Sequence, residues 1–250
     1  MAIGFQGADI QNLREIEGPQ LVPAPISRVH IPQRFDDNDI VEVVVEGVFP
    51  SGCYRVGPHE AWKDPNGNRV AFHLQAYFDA SDFCAEVERP FKVVIEIGEL
   101  TAGQHSLFEV FDNETPPRPR GFIPISVAQS RSRDEFLYAP VDSAVIVKNE
   151  FDQRRELVLI GTFTNSCMRF NDEVFKTRAG LKAVTRTGEQ LLEVLPILHN
   201  IPDPSLCRRV ETPFTKRIPI SDDIPDGRYL FYIRKWDGIS FSKFDVVGSF

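Results

Sequence analysis

Long apolar runs are missing from this sequence. None approaches the roughly 20 residues that a membrane-spanning helix requires, and the best candidate, Leu191 to Leu198, is cut by Pro196 and closed by His199. An excess of positive charge is missing too. The 28 Lys+Arg stand against 36 Asp+Glu, and the formal net charge of -8 repels phosphate backbones and anionic lipid surfaces. The chain therefore does not read as an integral membrane protein, and nucleic acid is an unfavoured partner. The motifs of common catalytic sites are absent as well: no Gly-x-Ser-x-Gly elbow, no phosphate-cradling glycine loop, and no His-Glu-x-x-His helix, since His59-Glu60 is followed by Lys63 where a second histidine would be needed. No Cys-x-x-Cys or Cys/His pair stands at zinc-ligand spacing, so no metal or cofactor is expected. The first twenty residues carry no signal-peptide pattern, the first positive side chain being Arg14. That leaves two readings, a leader already removed or a cytosolic protein.

What is present is an internal repeat, and a self-match at domain length reports a duplicated folding unit. Gly47-Val48-Phe49-Pro50-Ser51-Gly52-Cys53-Tyr54-Arg55 aligns without a gap with Gly161-Thr162-Phe163-Thr164-Asn165-Ser166-Cys167-Met168-Arg169, at an offset of 114 (167 − 53). Cys84-Ala85-Glu86-Val87-Glu88-Arg89-Pro90-Phe91 aligns with Cys207-Arg208-Arg209-Val210-Glu211-Thr212-Pro213-Phe214, at an offset of 123 (207 − 84). Weaker echoes are Ala24-Pro25 with Ala139-Pro140, Phe35-Asp36 with Phe151-Asp152, and Gly103 with Gly227. The offset grows between the two cysteines, so the second copy carries an insertion, expected in the hairpin around Thr187-Gly188.

Runs between turn signals alternate with period two, as half-buried strands must. Phe91, Val93, Ile95 and Ile97 fall on one face and Lys92, Val94 and Glu96 on the other. The pattern predicts seven strands in the first copy, at 27–32, 40–49, 54–63, 69–77, 91–98, 104–112 and 120–127. The matching set in the second copy is 143–148, 156–163, 168–177, 180–197, 214–220, 228–235 and 239–247. The 19 prolines and 16 glycines, mostly between these runs, suit short strands joined by turns rather than helices. The expected organisation is a tail at 1–20, a first domain at 21–128, a polar linker at 129–136 and a second domain at 137–250.

The Gly-x-Phe-x-x-x-Cys strand end, the Cys-x-x-Val-Glu-x-Pro-Phe strand entry and the glycine before the sixth strand resemble the immunoglobulin-like or fibronectin-type modules common in secreted bacterial proteins. The resemblance implies an all-β chain of two tandem, seven-stranded, immunoglobulin-like β-sandwiches. It departs from antibody domains, whose cysteines face the core inside strands. Here the bridge would staple the end of a sheet.

Four cysteines admit three pairings, and duplication favours Cys53 with Cys84 and Cys167 with Cys207. Such bridges persist in oxidising compartments, which points to a periplasmic or secreted location. The alternative is four buried thiols in a cytosolic protein.

The five histidines (His30, His59, His73, His105, His199) are scattered, and none recurs in the other copy. Trp62 invites a sugar-stacking reading, but Glu60-Ala61-Trp62-Lys63 aligns with Glu173-Val174-Phe175-Lys176 and predicts a core position. Asp36-Asp37-Asn38-Asp39 invites calcium, yet its counterpart Asp152-Gln153-Arg154-Arg155 is basic and favours a solvated turn. Thr115-Pro116-Pro117-Arg118-Pro119-Arg120-Gly121 has no echo in the second copy and reads as a rigid turn or a prestiffened contact loop. The function expected is a non-enzymatic interaction or structural module that binds a protein partner through loops and edge strands. The alternatives are a protease inhibitor acting through the loop near 114–121, and an enzyme with its site between the copies.

Overall fold

The computed structural model describes residues 18–32, 35–64, 68–79, 83–110, 120–131, 137–152, 154–172, 182–183, 191–199, 204–222, 224–235 and 240–247. The described chain is all-β. In the first half it forms β1 (Gln20–Pro23), β2 (Ile26–His30), β3 (Phe35–Asp36), β4 (Val41–Phe49), β5 (Tyr54–Lys63), β6 (Arg69–Phe78), β7 (Arg89–Gly98), β8 (Gly103–Glu109) and β9 (Arg120–Ala128). In the second half it forms β10 (Val141–Lys148), β11 (Arg155–Phe163), β12 (Lys182–Ala183), β13 (Leu191–Val194), β14 (Thr212–Pro219), β15 (Gly227–Ile233) and β16 (Phe241–Val247).

These strands make four sheets. Sheet I runs β1-β6-β8-β9-β3 with β5 beside β6; sheet II is β2-β4-β7; sheet III is β12-β13-β15-β16; sheet IV is β10-β11-β14. Sheets II and IV are purely antiparallel, whereas sheets I and III are mixed, with β6 parallel to β8 and β13 parallel to β15. That differs from the two antiparallel sheets of an immunoglobulin sandwich. The cause is the β5–β6 hairpin, which places β6 rather than β5 against β8.

The sheets are layered in the order I, II, III, IV. On β4, Val43 and Val45 stand opposite Ile95 and Val93 and share a core with Val70, Phe72, Leu74 and Leu107 of sheet I. The other face of β4 carries Glu42, Val44 and Glu46 against sheet III, whose Leu191, Leu230 and Tyr232 join the same core. Being covered on both sides, β4 reads as the near-continuous apolar run Val41-Glu42-Val43-Val44-Val45. Likewise β15 turns Leu230 and Tyr232 toward sheet II, and Tyr229, Phe231 and Ile233 toward sheet IV.

The repeat has a physical basis in the ladders. Gly47 pairs with Phe91 and Phe49 with Arg89; Gly161 pairs with Phe214 and Phe163 with Thr212. A Cβ on Gly47 would lie 2.2 Å from the Pro25 carbonyl oxygen and 2.4 Å from Phe91 Cζ, and one on Gly161 would lie 2.1 Å from the Pro140 oxygen and 2.5 Å from Phe214 Cζ. The two Ala-Pro pairs mark where the first strand of each half leaves one sheet for the other. Ala24 N donates to Leu74 in sheet I before β2 enters sheet II, and Ala139 N donates to Pro196 before β10 enters sheet IV. Only glycine leaves room for that crossing beside the stacked phenylalanines Phe49/Phe91 and Phe163/Phe214.

Ladder register also corrects three sequence expectations. Phe170 bridges Leu198 where Val56 pairs with Ala76, at an offset of 114 (170 − 56), but Lys182 pairs with Glu193 where Trp62 pairs with Ala71, at 120 (182 − 62). Most of the insertion therefore precedes Lys182 rather than lying at Thr187-Gly188. The strand expected at 168–177 reduces, among described residues, to the bridge at Phe170, and that at 180–197 to β12, β13 and the bridge at Ile197; the rest of both ranges includes undescribed residues. Third, β1 precedes the first strand expected, at 27–32, and extends sheet I by pairing with β6. The last hairpin moves the other way, from an offset of 124 at Gly103/Gly227 to 120 at Val127/Val247. The difference of four divides between the bulge at Leu107/Glu109 and a connection three residues longer in the first half, 110–119 against 234–240.

Candidate functional site

Both expected disulfides are present, Cys53–Cys84 with Cα atoms 5.2 Å apart and Cys167–Cys207 at 5.5 Å. Each ties the turn after β4 or β11 to the loop before its ladder partner, β7 or β14. A backbone bond beside each bridge recurs: Gly52 N donates to Ala85 O at 2.9 Å, and Ser166 N to Arg208 O at 3.0 Å. Two disulfides fit an oxidising, extracytoplasmic compartment.

These stapled loops present the same unusual surface twice. Phe83, immediately before Cys84, is 98% exposed and Val87 is 60% exposed. Their counterparts Leu206 and Val210 are 78% and 48% exposed. Folding accounts for repeated buried positions such as Gly47/Gly161; it does not account for a repeated pair of apolar side chains held in water. The flanks differ in sign, with Glu86 and Glu88 around the first pair and Arg208 and Arg209 beside the second. Sequence reading used this segment to align the copies but missed its exposure, because the Cys-x-x-Val pattern gives no sign of which way the side chains point.

The seam between sheets II and III gathers most of the buried charge. The Glu46 carboxylate meets Arg228 Nη1 at 2.9 Å and His30 Nε2 at 3.3 Å. Tyr232 Oη donates to Glu42 at 2.8 Å, Ser240 also bonds Glu42, and Lys92 reaches Ser242. Arg234 contacts Asp39 at 2.8 Å and Glu193 at 3.4 Å, with its guanidinium 4.5 Å from the Phe35 ring centroid. Burial lowers the His30 pKa despite the adjacent Glu46, and burial with the Glu42 carboxylate beside it pushes the Tyr232 hydroxyl well above the usual phenol range. These groups are turned on one another, so the chemistry they provide is orientation of one half against the other.

The other histidines lie apart. His105, on the inner face of β8, is within hydrogen-bond distance of the Thr101 carbonyl at 2.7 Å; His59 sits at the β5 bulge; the His199 backbone bonds Arg169. His73 lies on the outer face of sheet I beside Trp62, with ring centroids 5.5 Å apart. Trp62 itself is 41% exposed, which corrects the core assignment. The intervening insertion gives it Lys182 as ladder counterpart, whereas Phe175 lies outside the described residues.

The acidic cluster is occupied by the fold. Asp39 accepts from Asp36 N and pairs with Arg234, while Asp37 accepts from the Ser130 hydroxyl and from Ser130 N, the latter at 2.8 Å, and these bonds hold its carboxyl below the usual pKa. Of the Pro-Arg segment, Pro116, Pro117, Arg118 and Pro119 lie outside the described residues; Arg120 begins β9 opposite Glu109, and Gly121 has a φ of 75°. Several edge strands are blunted against pairing. β5 carries Pro58 and a bulge, β14 carries Pro213, Pro219, Lys216 and Arg217, and Lys243 from β16 bonds the Ala144 carbonyl of edge strand β10.

The geometry defines the class as an all-β, doubly disulfide-bonded protein of four layered sheets. No family model, no curated protein and no solved structure matches the chain.

Proposed function

We propose that the chain is a non-enzymatic, periplasmic or secreted interaction module, built of two units related to the immunoglobulin-like sandwich with an altered strand order, and that it binds a protein partner. The observation that carries this reading is the duplicated apolar pair Phe83/Val87 and Leu206/Val210, exposed on loops that a disulfide and a backbone bond fasten to the neighbouring turn in both halves. A fastened loop loses less conformational entropy on binding than a free one, and exposed large apolar side chains supply contact energy when a partner covers them. Blunting of the edges favours these loops over strand addition.

The test places a photo-reactive residue at 83 or at 206 in the chain expressed in its source, with the exposed Glu99 as control position. Both loop positions should give an adduct with the same partner, and Phe83→Ser combined with Leu206→Ser should weaken the purified complex roughly thirtyfold or more, as loss of a buried apolar anchor does. Absence of an adduct at both positions, or equal adducts at Glu99, would refute the reading. A turnover that survived both substitutions would revive an enzyme.

A further inference from the structure

We propose that the chain binds further copies of itself head to tail, the outer face of sheet IV of one copy seating on the outer face of sheet I of the next. The contact already exists once inside the chain. Sheet II packs on sheet III, and ladder register makes sheet IV the counterpart of sheet II and sheet I the counterpart of sheet III. Two repeats joined in this way use different patches, so the contact leaves one member of each patch pair unused at either end of the stack. Heterologous contacts of this kind form rings or filaments rather than closing on themselves as a twofold dimer does.

Residue types at the unused faces support a partner there. At the seam, sheet II presents His30, Val44 and Glu46, with His30 opposite Val44. The corresponding positions of sheet IV are Val145, Val158 and Ile160, with Val145 opposite Val158. At these three positions the covered sheet II carries the polar set and sheet IV the apolar one, while Glu156, the counterpart of Glu42, stays charged and pairs with Arg217. Val145 is 37% and Ile160 42% exposed. An exposed aliphatic patch on a sheet face marks a contact surface. On sheet I, the positions matching the seam residues Glu193 and Tyr232 are Ala71 and Phe108, and Trp62 lies opposite Ala71. The row Trp62–Ala71–Phe108 crosses β5, β6 and β8, an uncharged row with two aromatic side chains where the second half has Glu193 and Tyr232 on β13 and β15. Ile160 for Glu46 and Ala71 for Glu193 place an apolar group where the seam has a charged one, as association of separately folded chains favours, while the seam's Leu191 and Leu230 have Arg69 and Ser106 as counterparts.

This contact is independent of the stapled loops, and its test separates the two. Sedimentation velocity of the full chain from low to high micromolar concentration should show a mass that rises with concentration. Ile160→Lys or Trp62→Glu should each give monomers, with the apparent dissociation constant raised at least about tenfold, while Phe83→Ser with Leu206→Ser should leave assembly unchanged. Mixed one to one, the Ile160→Lys and Trp62→Glu chains should recover dimers and nothing larger, because each retains one of the two faces. Val145→Lys and Ala71→Arg repeat the experiment should either first variant fail to fold, as judged by its circular dichroism. A wild-type chain that is monomeric throughout overturns the proposal. So does a variant that still self-associates, or a dimer abolished by only one of the two substitutions, which would mean an isologous contact.

Discussion

Replacing Gly47 by alanine, and separately Gly161, tests whether the repeat is a mechanical device rather than a residue of ancestry. The new methyl at Gly47 would sit 2.2 Å from the Pro25 oxygen, against 3.4–4 Å for ordinary contact, so the backbone or ring must retreat by about 1.2 Å (3.4 − 2.2). The oxygen cannot move freely, because Ile26 N bonds back to Ala24 O at the sheet crossing, and the Phe91 ring is stacked on Phe49 at 4.3 Å. Overpacking of a constrained site costs about 1–3 kcal/mol, and two simultaneous clashes place this one near about 3 kcal/mol. For a chain of this size that lowers Tm by roughly 6–12 °C. Gly161→Ala should cost a similar amount, its methyl falling 2.1 Å from the Pro140 oxygen. Gly52→Ala is the control, since its nearest neighbour would be 3.7 Å away, an ordinary contact. Urea unfolding of the three variants with disulfides intact is the assay. A loss below about 1 kcal/mol at either Gly47 or Gly161 would refute the crossing argument, as would a loss at Gly52 equal to theirs.

Arg234→Met should cost about 3–5 kcal/mol because it strands the buried Glu193 carboxylate, and adding Glu193→Gln should recover part of the loss; full additivity in urea unfolding would deny the pair. The lowered His30 pKa gives a pH signature. Below the ordinary value of 6.5 the unfolded chain takes up a proton that the folded chain resists, so stability falls as pH drops from about 7 to about 5, by at most about 1.4 kcal/mol per pH unit from this group. His30→Asn should show a shallower fall over that window, and an unchanged slope would rule out His30 as its source. Trp62→Ala should change stability by less than about 1 kcal/mol, as at an exposed position; a loss of about 3–5 kcal/mol in the same assay would restore the core assignment.

The sequence by itself determined most of the strands, the repeat and the bridges. Period-two alternation on Phe91, Val93, Ile95 and Ile97 is a local property of the pleat, and those residues do line one buried face. The cysteine pairing followed from two copies of one pattern, since equivalent positions in equivalent folds must lie at equivalent distances. Tertiary structure decided what each face meets. Alternation separates Trp62 from Ala61, but only the insertion between Phe170 and Lys182, visible in the ladder register, shows that Trp62 has a different counterpart from the one that ungapped reading assigns. Glu42 and Glu46 stand among the valines of β4 and are buried, because a sheet lying some 190 residues further along the chain covers them, as the separation of 190 between Tyr232 and Glu42 shows. Charge in sequence marks a side chain that needs a polar partner; whether water or Tyr232 and Arg228 supply it depends on packing between distant segments, which no local pattern encodes.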